Sequence, residues 1–134
     1  MTGASRGIGR EIAKSLLEEG AIVVGTSKNH RSLQDLKDDF QEYKDRFSVV
    51  PADLSKIEEV QGLCETTQKI LGSVDIIVNN AAVLFFEPLK DSTQEKLFTS
   101  FAVNVFAPFN ISRYFAPAMI EKRWGRIINI CSSS

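Results

Sequence analysis

Histidine is almost absent from this chain, and cysteine nearly so. His30 stands alone, and Cys64 and Cys131 are the two thiols. That set makes no disulfide framework and falls at no usual metal spacing, so no metal site is expected. No net charge is available to hold a polyanion: 16 basic residues face 17 acidic ones, for a net −1. Nucleic acid and an acidic membrane surface are therefore not expected partners. No apolar run has the length of a transmembrane helix, and no signal peptide opens the chain. Linker-like Pro/Gly/Ser stretches and internal repeats are missing too, which leaves one unit over residues 1–134. What remains is ordinary globular composition, 43% hydrophobic and 25% charged. An intracellular, cytoplasmic domain is the expectation.

Hydrophobic period supplies the elements. Ile8, Ile12, Ala13, Leu16 and Leu17 share a helical face, and Gly20 follows as a stop. Ala21 to Gly25 reads as a buried strand. Ser32 to Tyr43 reads as a polar helix with Leu33, Leu36 and Phe40 inward. Phe47 to Val50 is a second strand. Ser55 and Glu58 read as a capping box for a helix ending near Leu71. Val74 to Val78 is a third strand. Ser92 and Glu95 form another box, opening a helical stretch to Lys122 with a break near Pro108. Arg126 to Cys131 is a fourth strand. Alternating helix and strand predicts an α/β fold with a parallel sheet and helices on both faces.

The chemistry-bearing residues cluster at strand ends. Thr2, Gly3, Ala4, Ser5, Arg6, Gly7, Ile8 and Gly9 read TGxxxGxG and run into the first helix. Glycines there let backbone amides approach a pyrophosphate, and the helix start adds free N–H groups. Asp53-Leu54 follows the second strand, where an Asp either caps the next helix or accepts from a ligand. Asn79-Asn80-Ala81-Ala82 follows the third strand. Asn104 interrupts a helical pattern that its residue type disfavours. Ser132 follows the fourth strand and is the first of three serines.

In this order the motifs resemble the short-chain dehydrogenase/reductase family, in its single-domain branch. The resemblance covers the whole chain and implies a doubly wound Rossmann-type sheet that binds NAD(P). It implies that Thr2, Gly3, Ser5, Arg6, Gly7, Ile8 and Gly9 hold the cofactor phosphates. It implies that Asp53 and Leu54 hold the adenine, and that Asn80, Ala81 and Ala82 lie along the cofactor. Ala82 stands where the family prefers Gly. Ser132 would donate to the substrate carbonyl, with Ser133 and Ser134 as alternative registers. Asn104 would open a kink whose carbonyl holds a relay water. The end of the first strand reads Thr26-Ser27-Lys28-Asn29, with no acid to accept from ribose hydroxyls. With Arg6, Ser27 and Lys28 resemble members that prefer NADP(H) to NAD(H).

The family's Tyr-x-x-x-Lys pair is not matched. Tyr43 and Tyr114 are followed four residues on by Phe47 and Ala118. The resemblance therefore implies a fragment truncated at both ends, lacking a first strand before Thr2 and the strands after Ser132. Alone it is expected to be inactive and poorly stable, with the strands at Ala21–Gly25 and Val74–Val78 left unpaired towards each other. The parent is expected to be an NADP(H)-dependent oxidoreductase acting on a carbonyl or alcohol small molecule, 3-oxoacyl-reductase-like or a small-ketone reductase. A dimer or tetramer is expected through the helices around Asn104. There Phe85, Phe86, Phe98, Phe101, Phe106, Phe109 and Phe115 read as core and subunit contact. A non-catalytic nucleotide-binding or interaction module is the alternative.

Overall fold

The computed structural model describes residues 1–132. Helix α1 spans Gly7–Glu18 and stops where Gly20 adopts a φ of +90°. It buries Ala13 and Leu17, but Ile8 is exposed, because it sits where the helix opens onto a cleft. Strand β1 is Val23–Gly25 and pairs in parallel with β2, Phe47–Val49. Between them α2, His30–Asp39, is capped by Asn29, whose side chain accepts from the Ser32 N–H. The helix thus starts before Ser32, and it buries Leu33 and Leu36 with Phe40 just beyond.

Helix α3, Ile57–Leu71, starts one residue later than a Ser55 cap would place it. Ser55 is not a cap: its hydroxyl and its N–H both donate to the Asp53 carboxylate. Strand β3, Ile76–Asn79, pairs in parallel with β4, Arg126–Asn129. Helix α4, Gln94–Phe101, is capped by Thr93 rather than Ser92. A π-helical turn over Ala102–Phe106 joins it to α5, Ala107–Lys122, so the expected break falls just before Pro108.

Two cores result. Ala13, Leu17, Val23, Leu36, Phe40 and Phe47 pack α1 and α2 against β1 and β2. Val60, Leu63, Ile77, Ile111 and Phe115 pack α3 and α5 against β3. The lane between β1 and β3 is bridged at one end by Met1 and Thr2. Thr26 N donates to Met1 O at 3.0 Å, and Thr2 N donates to Val78 O at 2.9 Å. Beyond Met1 the lane is a cavity of about 300 Å3, between Ala21–Val24 on one side and Val74–Val78 on the other. The expected gap is thus present, but Thr2 closes its cleft-side end. That closure holds the glycine turn in register with the ends of both β1 and β3.

Candidate functional site: a cleft over the strand ends

All strands are parallel, so their C-terminal ends share one edge, where ligands of such sheets bind. A cleft of about 620 Å3 lies along that edge. Of the residues singled out in the sequence, Gly3, Ser5, Arg6, Gly7, Ile8, Gly9, Ser27, Lys28, Asp53, Leu54, Asn80, Ala81 and Ala82 line it. Four loops far apart in sequence therefore converge on one surface.

The floor is a glycine turn with no spare room behind it. Gly3 adopts a φ of +64°, and a Cβ on it would lie 2.8 Å from Asn80 Nδ2. A Cβ on Gly9 would lie 2.1 Å from the Gly3 carbonyl oxygen. Gly7, with a φ of +53°, is the opposite case: a Cβ there would meet nothing within 4 Å. The turn is packed against the protein at Gly3 and Gly9 and open to the cleft at Gly7. Arg6 is the N-cap residue of α1 and offers no side-chain cap, and the first turn carries no acid. The first amides of a twelve-residue helix are therefore left for an anion.

Thr2 is buried behind this turn and braces it. Its Oγ1 accepts from the Asn80 and Ala81 N–H groups, each at 3.0 Å. Asn80 Nδ2 donates back to the Thr2 and Gly3 carbonyls at 3.3 and 3.2 Å. Asn79 turns the other way and donates to Asn129 Oδ1 at 2.9 Å, tying β3 to β4. Ala82 takes no positive φ, since Arg123 is the one non-glycine residue that does so among the described residues. The methyl in place of hydrogen at Ala82 therefore carries no backbone strain.

One end of the cleft is polar. Ser5 Oγ donates to Ser27 Oγ at 3.1 Å, which joins the glycine turn to the end of β1. Lys28 Nζ lies 2.8 Å from Asp53 Oδ2, with the lysine largely exposed and the carboxylate buried. Asp53 Oδ1 accepts from Ser55 Oγ at 2.7 Å and Ser55 N at 3.1 Å. Burial pushes the Asp53 carboxyl up, but the Lys28 bond, the two Ser55 bonds and the lysine charge outweigh it. They hold the carboxyl down at about 2.

At the other end, Asn104 sits in the π-helical turn. Its side chain clamps one residue of the β3–α4 loop from both sides. Oδ1 accepts from Val83 N at 2.9 Å, and Nδ2 donates to Val83 O at 2.8 Å. Val83 itself lines the cleft. The π turn is a local departure from α-helix at the place where a kink is expected. Ser132 follows β4, is exposed, and is not among the cleft-lining residues. Ser133 and Ser134 lie outside the described residues.

A family model described as short chain dehydrogenase matches residues 1–134. The chain belongs to the short-chain dehydrogenase family. The uncharacterized oxidoreductase YvrD of Bacillus subtilis (strain 168) is 35% identical across this whole chain, which covers 50% of that protein. An uncharacterized oxidoreductase of Staphylococcus aureus (strain MRSA252) is also 35% identical, with 57% of it covered. The chain thus spans about half the length of the curated relatives it matches. Among solved structures, a short-chain dehydrogenase from Streptomyces avermitilis superposes with a TM-score of 0.89 at 32% identity. That match covers 98% of this chain and 47% of the other. A metagenomic short-chain oxidoreductase in complex with NADP superposes with a TM-score of 0.91 at 36% identity, covering 99% and 61%.

Members of the short-chain dehydrogenase family use nicotinamide dinucleotides, and the donor set here fits one. The uncapped start of α1 beside the open face of Gly7 suits a pyrophosphate. The Ser5, Ser27 and Lys28 end suits the ribose, and Asp53 with Leu54 suits the base. Sequence reasoning missed Ser55 and Val83. Ser55 had a readable signal, since an Asp two residues before a Ser commonly forms an Asx turn. Val83 had none, because its clamp is long-range.

The Asp53 carboxyl also sets a pH dependence. Its folded pKa, about 2, lies below its unfolded value of 3.8. The stability it contributes is complete above pH 3.8 and is lost as pH falls through 2. Solvent screening around Lys28 limits that contribution to about 1 kcal/mol. Denaturant midpoints of the full protein and its Asp53→Asn variant should therefore differ at pH 7 and converge near pH 2. A gap that persists at low pH would contradict it.

Proposed function

We propose that the protein carrying this chain is an NADP(H)-dependent oxidoreductase that moves a hydride between nicotinamide and a ketone or secondary alcohol. Residues 1–134 act as its dinucleotide-binding unit. The observation that carries the reading is the polar end of the cleft. Lys28 and Ser27 stand at the end of β1, Ser5 bonds to Ser27, and Arg6 follows Ser5. The segment after β1 carries no acid of its own, and the Asp53 carboxylate that reaches Lys28 comes from the loop after β2, so a bare ribose lacks the carboxylate usual at that strand end while a 2′-phosphate has Lys28 and hydroxyls beside it. The NADP complex of the metagenomic relative agrees with this preference.

When bound, the nicotinamide gives or takes the hydride. The chain's own residues bind and orient. The amides at the start of α1 hold phosphate, and Asp53 accepts from the base. Asn104 holds Val83 against the cleft and keeps the π turn open. The Ser132 hydroxyl donates to the substrate oxygen as charge gathers on it. The proton donor belongs to the tyrosine and lysine that the family resemblance implies beyond Ser132. The substrate class we favour is a 3-oxoacyl thioester or another small ketone.

Arg6→Ala with Lys28→Ala tests the cofactor assignment in the full-length protein. Losing two exposed contacts to a dianion costs about 1.5 kcal/mol each, at the low end for charged hydrogen bonds. NADPH should weaken far more than NADH in Michaelis constants, and equal losses would contradict the assignment. The complete reading frame tests the enzyme reading. A Tyr-x-x-x-Lys downstream of Ser132 supports it, and a stop codon directly after Ser134 favours a non-catalytic nucleotide-binding module.

The parent is also proposed to be a homo-oligomer. Of the phenylalanines expected as core and subunit contact, Phe115 is buried, while Phe85, Phe86, Phe98, Phe101, Phe106 and Phe109 are exposed on α4, α5 and the segments beside them. So many exposed aromatic side chains call for a cover, and a second copy is the one proposed. Phe98→Ser with Phe109→Ser should shift the full protein to a smaller species in sedimentation. An unchanged sedimentation coefficient would place the subunit contact elsewhere. No described helix is long and apolar enough to cross a membrane. The two free cysteines accord with a reducing, cytoplasmic location.

A further inference from the structure

The loop between β3 and α4 borders the cleft with almost no bonds of its own. Val83, which lines the cleft, begins a segment that runs to Glu87. Among the described residues, hydrogen bonds and ion pairs tie that segment at its two ends only. Asn104 holds the Val83 N–H and carbonyl, at 2.9 and 2.8 Å. Lys96 Nζ donates to Glu87 Oε2 at the far end. Among the described residues, no backbone bond supports the stretch between.

Both ties come from one helical run. Lys96 lies on α4, and Asn104 lies in the π-helical turn that continues it. From Lys96 to Asn104 the helix rises about 12 Å. From Val83 to Glu87 an extended chain spans about 14 Å at most. The two lengths match, and the segment lies along the helix as a strap, tied at both ends. Thr99 and Val103, between the two ties on the helix, line the cleft with Val83. The Lys96 tie is the one that depends on charge. The Glu87 side chain is 17% exposed and the Lys96 side chain 40%. Glu87 Oε1 is buried and has no donor among the described residues, so the carboxylate relies on Lys96. The Lys96 ammonium also lies 5.8 Å over the Phe85 ring. Without Lys96, a mostly buried carboxylate has no counter-charge, and it regains water by lifting the strap.

We propose that Lys96 is a positioning residue, which through Glu87 and Phe85 holds the strap down and keeps Val83 against the nicotinamide end of the cleft. The inference rests on the reading of this cleft as an NADP(H) site. That reading gives the polar end to the 2′-phosphate and the base, and leaves the Asn104 end for the nicotinamide. Lys96 does not line the cleft, so it acts through the strap and not on the dinucleotide. An isolated surface ion pair contributes little. This pair matters because it is the second of two ties on a segment with no other support.

The effect is measurable without turnover. The full-length protein and its variants are titrated by calorimetry with NADP+ and with 2′-phospho-ADP-ribose, the same molecule without its nicotinamide. Lys96→Met should weaken NADP+ about fivefold, the worth of one ordinary contact, and leave 2′-phospho-ADP-ribose within about twofold. Lys96→Arg, which keeps the charge, should bind both ligands as the unaltered protein does. Glu87→Ala frees the strap without stranding a charge, and it should give the same selective loss even if Lys96→Met does not fold. Equal weakening of both ligands would make Lys96 a support of the fold alone. No change in either ligand would show that the strap needs no second tie. Each of those results overturns the proposal and leaves the NADP(H) reading standing. An unaltered protein that binds neither ligand overturns that reading, and the proposal with it.

Discussion

Replacing Ser132 by Ala in the full-length protein should lower kcat about a hundredfold, the loss typical of one removed oxyanion donor. The affinity for NADPH should stay within about twofold, since a bond that strengthens in the transition state contributes little to cofactor binding. Ser132 follows β4, is exposed, and does not line the cleft proposed for the dinucleotide. Rapid-mixing kinetics with saturating NADPH separates the two effects. Should Ser133→Ala cause the loss while Ser132→Ala is silent, the register after β4 is displaced by one residue.

Gly9→Ala should be the most damaging change in the cleft floor. Its new Cβ would lie 2.1 Å from the Gly3 oxygen and 2.5 Å from Asn80 Nδ2. Neither neighbour can yield cheaply, because Gly3 is backbone and Asn80 Nδ2 already bonds to the Thr2 and Gly3 carbonyls. Relieving the overlap must push the glycine turn away from the β3 end. Overpacking of this severity costs about 3 kcal/mol. NADPH affinity should fall with it, because the displaced turn carries the amides proposed to hold phosphate. Gly7→Ala is the matched control. Its Cβ meets open space, so only the positive φ is strained, at about 1 kcal/mol. Chemical denaturation of both variants checks the order, and equal losses would show that the turn is looser than its packing implies.

The periodic elements were legible in the sequence, and the reasons are local. Leu33, Leu36 and Phe40 mark one face of α2, and Gly20 ends α1 through its own backbone. Caps were less legible where two candidates stand side by side. Thr93, next to Ser92, took the cap of α4, and Ser55 was drawn away from α3 by the Asp53 carboxylate. That the glycine turn, Asp53 and Asn80 share one cleft was foreshadowed by their motifs, the last two each following a strand. What Asn104 does with its side chain was not readable. Its two bonds to Val83 bridge 21 residues of sequence, and no period encodes them. The phenylalanines were readable as core and subunit contact together, but not which was which, for a related reason. An apolar stripe at helical spacing states that a face avoids water, and leaves open whether the same chain or another covers it.

Thr2 shows how the site depends on the sheet. Its backbone occupies the lane between β1 and β3, and its hydroxyl holds the Asn80 turn. The register of the sheet is thereby transmitted to the glycine turn and to the loop after β3 together.

The central claim is that this cleft holds a nicotinamide dinucleotide and favours the one with a 2′-phosphate. Calorimetric titration of the full-length protein with NADP+ and, separately, with NAD+ tests it most directly. One-to-one binding of NADP+, tighter than NAD+ by about tenfold or more, is the predicted result. Binding of neither dinucleotide, or tighter binding of NAD+, would contradict it.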